Sequence, residues 1–122
     1  MLLINKFSPT PIYLQIVSQF EDLIFAEILK VEERLPSVRV LAKELGINPN
    51  TLQRAYTEME NKRLCISVPG SGRYVSKHAK DIIVKEKKEN LIGIKDIIKD
   101  AKKSGIPLKD IMKMIEEIYK EV

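Results

Sequence analysis

Between residues 47 and 60 the chain reads INPNTLQRAYTEME. Asn50, Gln53, Arg54 and Thr57 recur there at i, i+3, i+4 and i+7, and Leu52, Ala55, Tyr56 and Met59 keep the same step two positions out of register. Both stripes have the helical period, so one helix is expected with an apolar face inward and a face of amides, a guanidinium and a hydroxyl outward. Those outward groups are suited to reading base edges in the major groove of DNA. Arg pairs with guanine O6 and N7, Asn and Gln pair with adenine N6 and N7, and Thr sets its methyl against thymine. An ordinary surface helix also shows a polar outer face, and Asn-Pro-Asn-Thr is simply a good helix start. The stretch by itself leaves both readings open.

The elements around it must position that face. Ser37, preceded by Pro36, starts a short second helix in which Leu41, Ala42 and Leu45 turn inward. Val40 stands where Glu or Gln would close a capping box. Gly46 is expected to end this helix in a left-handed conformation. Ile47 plugs the turn, Asn48 caps the third helix and Pro49 takes its first position. Two helices joined by a turn containing Gly, the second amphipathic, describe a helix-turn-helix. LCISV and RYVS then flank PGSG at residues 64–76, which reads as a hairpin. A helix-turn-helix followed directly by a hairpin is the order of a winged helix.

Ahead of it, Leu2-Leu3-Ile4 is expected as a short strand, and Thr10 and Pro11 as the cap and first position of a helix ending near Leu29. Tyr13, Ile16, Val17, Phe20, Leu23, Ile24 and Ile28 share its inner face, with Leu14 and Phe25 left for a second packing surface. Phosphate contacts are expected from short hydroxyls, cations and helix N-termini. Ser37, Arg39 and Thr51 lie at the two helix starts. Gly70, Ser71 and Gly72 give a hairpin tip slim enough to approach a backbone, and Arg73 beside it supplies charge.

RLPSVRVLAKELGINPNTLQRAYTEME followed by PGSGRYV resembles the signature of GntR-type winged-helix transcription regulators, and PIYLQI at 11–16 with a short helical tail resembles their YtrA-like branch. The resemblance is dense over residues 11–76 and architectural over 77–122. It implies a bacterial dimeric repressor on an inverted repeat, often controlling its own operon and a neighbouring ABC transporter. It also implies DNA contacts by Arg39, by Asn50, Thr51, Gln53 and Arg54, and by Gly70 and Gly72. The chain departs from the pattern at three places. Val31-Glu32 stands where Pro-Gly is usual, NKRLC at 61–65 lacks a Gly before the wing, and Asn48-Pro49 replaces Ser-Arg.

The charge agrees with a nucleic-acid partner without demanding one. Net charge is +4, and residues 34–76 hold seven Lys or Arg against three acids, whereas residues 1–33 hold two against five. The single Cys65 allows no intrachain disulfide and suits the cytoplasm. No apolar run is long enough for a membrane span and the N-terminus does not read as a signal peptide. One His, His78, leaves no metal pair or Cys-His couple, so an enzyme is not expected, nor a cofactor or metal. Nothing marks a small-molecule effector. The rival reading is a winged helix used to bind another protein. Such modules tend to lose the donors of the third helix and the basic residues of the wing, and both persist here.

The expected architecture is therefore mainly helical with one small hairpin: a winged helix-turn-helix over residues 1–76 and a helical dimerisation tail over 77–122. In the tail Leu91, Ile94, Ile98 and Ala101 form one stripe, and Leu108, Ile111, Ile115, Ile118 and Val122 a second, with Ser104-Gly105 and Pro107 between them. KEKKE at 85–89 reads as solvated helix. A helical pair cannot bury both stripes alone. Leu91, Ile94, Ile98, Leu108, Ile111, Ile115 and Ile118 are accordingly expected to face a second copy of the chain, giving a homodimer on double-stranded DNA; the alternative is a tail that folds back on its own domain and covers Leu14 and Phe25.

Overall fold

The computed structural model describes residues 2–121. Leu2 is buried, but residues 2–4 form no strand. Their backbone is instead served by side-chain amides. Gln19 accepts from the Leu3 N–H at 2.7 Å and donates to its carbonyl at 2.6 Å, and Gln15 does the same for Asn5 at 2.9 Å each way. An extended segment can thus be satisfied without a neighbouring strand.

Helix α1 (Ile12–Phe25) starts one residue later than expected, with Pro11 rather than Thr10 at the cap position and no side-chain cap. It buries Ile16, Val17, Phe20 and Ile24 and stops before Ile28, which lies exposed beyond its end. α2 (Val38–Leu45) is capped as the sequence implies. Ser37 Oγ accepts from the Val40 N–H at 3.2 Å, and Gly46 closes it at φ 65°. α3 (Pro49–Asn61) follows, with the Asn48 side chain accepting from the Asn50 N–H at 2.8 Å and Leu52, Ala55, Tyr56 and Met59 all buried.

Strands β1 (Cys65–Val68) and β2 (Gly72–Val75) pair antiparallel, Cys65 opposite Val75 and Val68 opposite Gly72. The other side of β2 is lined by residues 32–35. The Leu35 N–H donates to the Arg73 carbonyl at 2.8 Å, and the Val75 N–H donates to the Glu33 carbonyl at 2.9 Å. The wing is thereby stitched to the loop that leads into α2.

α4 (Ala79–Leu91) adds Ala79 and Ile83 to the core formed by α1, α2, α3 and the hairpin. The first compact unit consequently ends at Lys85 and the second begins at Glu86. That is beyond the boundary at Ser76 read from the sequence, because two turns of α4 complete the first core. Within this core the Phe20 and Tyr56 rings meet edge to face at 5.8 Å. The buried Glu21 of α1 receives the Lys62 ammonium at 3.1 Å, tying α1 to the residue that closes α3.

The second unit holds α5 (Ile94–Lys103) and α6 (Leu108–Lys120). Leu91 closes α4, and a turn at Ile92-Gly93 separates it from α5, so the stripe from Leu91 to Ala101 is divided between two helices. The backbone tightens to i→i+3 bonds there, beside a glycine that favours helix weakly. Neither α5 nor α6 has a buried residue. Ile111 and Ile115 are half-buried, while Leu91, Ile94, Ile98, Leu108 and Ile118 are exposed, as are Ile97, Met112 and Tyr119, which the stripes did not include. Val122 lies outside the described residues. No helix among them is long and apolar enough to cross a membrane.

Candidate nucleic-acid interface

The outward face of α3 follows from what its inner face buries. With Leu52, Ala55, Tyr56 and Met59 in the core, helical geometry leaves Asn50, Gln53, Arg54 and Thr57 exposed on one side, and Thr51 half-buried in the first turn. Tyr56 fixes the helix in rotation as well as depth. Its hydroxyl donates to the Pro36 carbonyl at 2.7 Å, and burial pushes its pKa up, so it stays a donor. Gln53 Nε2 donates to Thr57 Oγ1 at 3.4 Å. The Arg54 guanidinium lies over the ring of Tyr13 on α1, 3.9 Å from its centre.

The start of α2 stands opposite the wing tip. Ser37 uses its oxygen as a cap acceptor, which leaves its O–H proton to donate outward. Arg39 is exposed in the first turn. Between the start of α2 and the wing runs a groove of about 460 Å³, bordered by Arg34, Ser37, Ser67, Gly70, Ser71 and Gly72. Arg34 is marked in the sequence only by its place immediately before Leu-Pro-Ser. Its side chain lies against Gly72, where a Cβ would stand 2.8 Å from Arg34 Nε. Gly72 also sits at φ 140°, so glycine is needed there for backbone and neighbour alike.

Arg73 departs from its expected part. It is not a free charge at the tip but is half-buried and paired with Glu60 of α3, its guanidinium 5.5 Å from the centre of the Tyr56 ring. In a strand beside the tip, alternation sends the side chain of Arg73 inward with its partner Ser67, both to Glu60. Hydrogen bonds from the Ser67 hydroxyl and from Arg73 hold the Glu60 carboxyl below its ordinary pKa. Ser71 likewise spends its hydroxyl on that of Tyr74. At the tip Gly70 is exposed and Gly72 half-buried, and the side chain of Arg34 beside them is exposed. Cys65 is buried beneath the sheet, where loss of solvent, helped by the Glu60 charge and opposed by Arg73, pushes its thiol up to about 11.

The surface thus gathers Arg39, Ser37, the polar face of α3 and a slim wing tip from elements locked to one core. Comparison with known proteins bears on the family and the fold. The family model described as bacterial regulatory proteins, gntR family, matches residues 12–75. The HTH-type transcriptional repressor YtrA of Bacillus subtilis is 39% identical over 122 residues, covering 100% of this chain and 92% of that one. A transcriptional regulator from Oenococcus oeni superposes with a TM-score of 0.75 at 27% identity, over 98% of this chain and 99% of its own. A GntR family transcriptional regulator from Listeria monocytogenes gives 0.73 at 30% identity, over 90% and 96%.

Proposed function

Because this chain belongs to the gntR family of bacterial regulatory proteins, and is by that membership a transcription regulator, we propose that it is a repressor acting in the cytoplasm as a homodimer on an inverted-repeat operator. The observation that carries the reading is the exposed row Asn50, Gln53, Arg54 and Thr57 on a helix whose opposite face is fully buried. In this reading α3 enters the major groove, with Arg54 on a guanine and Asn50 and Gln53 on adenines. Ser37, Arg39 and Thr51 hold phosphates at the starts of α2 and α3, and the Gly70–Gly72 tip lies along the backbone. The second unit supplies the second copy. One module covers only about 600–1,000 Å² of DNA, so two held together read two half-sites and make the second contact intramolecular. Its own operon and a neighbouring transporter operon are the targets that the sequence's resemblance to the YtrA-like branch implies.

A mobility shift of the full chain on its own upstream region, repeated over a range of salt, tests this. Arg54→Ala should cost about 1–3 kcal/mol and relax preference at one base pair per half-site. Arg39→Ala should weaken all sequences alike and flatten the salt slope by about one unit. If both variants bind as the parent does, α3 is not the reading helix. If the parent shifts no duplex, the protein-binding reading of the winged helix takes its place.

A further inference from the structure

Arg54 is exposed at the middle of α3, and Glu58 lies one helical turn further on, the usual distance for an intrahelical ion pair. That pair does not form. Among the described residues Arg54 makes no hydrogen bond and no ion pair, and its guanidinium carbon instead lies over the ring of Tyr13, 3.9 Å from its centre. The ring has a fixed seat. Tyr13 is half-buried against the core in the first turn of α1, and that turn is tied down by Gln15, which donates to the carbonyls of Thr10 at 2.8 Å and Asn5 at 2.9 Å.

The geometry has a chemical consequence. All five donors of a guanidinium lie in its plane, so stacking one face on an aromatic ring occupies none of them. It removes freedom from a long side chain that otherwise loses it on binding. We propose that Tyr13 is a positioning residue for DNA reading. Its ring holds the Arg54 fork at one orientation with its donor edge free for guanine O6 and N7, so that α1 takes part in setting base preference. This rests on the reading of α3 as the recognition helix. Tyr13 itself reads no base in this arrangement; it narrows the set of positions from which Arg54 reaches one.

The test uses the full chain and a library of duplexes randomised through the core, selected by binding and sequenced, for the parent, Tyr13→Phe, Tyr13→Leu, Arg54→Ala and the Tyr13→Leu/Arg54→Ala double variant. Tyr13→Phe keeps a ring and should keep the parent's base preferences. Tyr13→Leu should relax preference at the same base position as Arg54→Ala, with a loss on the best duplex on the order of two- to fivefold, the size of an exposed cation–π contact. In the Arg54→Ala background it should add nothing. In the free protein the Arg54 Nε–H resonance should carry a ring-current shift in the parent and in Tyr13→Phe, absent in Tyr13→Leu. That reading needs no DNA and reports on the fold of each variant at once. Tyr13→Leu that weakens every duplex alike, or that acts in full on the Arg54→Ala background, overturns the positioning role. Arg54→Ala that leaves every preference intact overturns the recognition-helix reading itself, and this proposal with it.

Discussion

Glu60 is where the wing meets α3, and it shows how a single carboxylate holds the interface geometry. It accepts from the Ser67 hydroxyl at 2.6 Å and from the Arg73 guanidinium, and both bonds favour its ionised form. Its pKa is therefore lower in the folded chain than its ordinary 4.5. A depressed carboxyl contributes stability that is fully present above the unfolded value and is lost as pH falls through the folded one. Glu60→Gln should cost about 1 kcal/mol at neutral pH, the partners being part-exposed. The gap between variant and parent should close below pH 4.5, as the parent's carboxyl takes up its proton. Urea unfolding curves at neutral pH and at steps below that value measure the gap; one that persists at the lowest pH would mean the contribution is not ionic.

At the scale of the element, the turns matter more than the helices. Arg63 and Glu32 both sit in the left-handed region at φ 64°, at the two places where the chain lacks the glycine usual in proteins it resembles. The backbone keeps the turn and the side chain bears the strain, worth roughly 1–2 kcal/mol for a residue with a Cβ. Gly46 shows the reverse case. It has φ 65° and no atom within 4 Å of a Cβ placed on it, so only backbone strain opposes a substitution there. Arg63→Gly should raise stability by up to about 1 kcal/mol, and Gly46→Ala should lower it by about 1 kcal/mol. Thermal unfolding of the two variants against the parent checks both signs. A shortened turn with different dihedrals in either variant would show instead as a change in the α2–α3 or α3–β1 junction rather than in melting temperature alone.

For the whole molecule, the position of the unit boundary decides what a truncation can test. Ala79 and Ile83 lie in the first core, so a chain ending at Ser76 would uncover it, whereas one ending at Lys85 keeps it whole. The Lys85 form should stay folded, run as a monomer by light scattering, and bind one half-site weakly with little gain when a second is added. The full chain, with its exposed row of Leu91, Ile94, Ile98, Leu108 and Ile118, should run as a dimer and gain strongly from the second half-site. A Lys85 form that dimerises and binds the paired site as tightly as the full chain would remove α5 and α6 from the role proposed for them.

Local signals in the sequence carry far into this structure. Alternation of period and cap residues place α2, Gly46, α3 and the hairpin, because each is decided within a few residues by burial of one face, a free backbone donor or a positive φ. The exposed set on α3 follows from the same stripe. Contacts between distant segments are another matter. That Arg73 turns inward to Glu60, that Arg34 lies on Gly72, that Arg54 rests on Tyr13, and that Gln15 and Gln19 stand in for a strand partner depend on which elements the core brings side by side. Such partners are separated by 10 to 41 residues of chain and leave no periodic trace, since a side chain of suitable length and charge meets many candidates until packing chooses one. The same packing set the end of the first unit at Lys85, because Ala79 and Ile83 look like any helical residues until the cavity they fill is known.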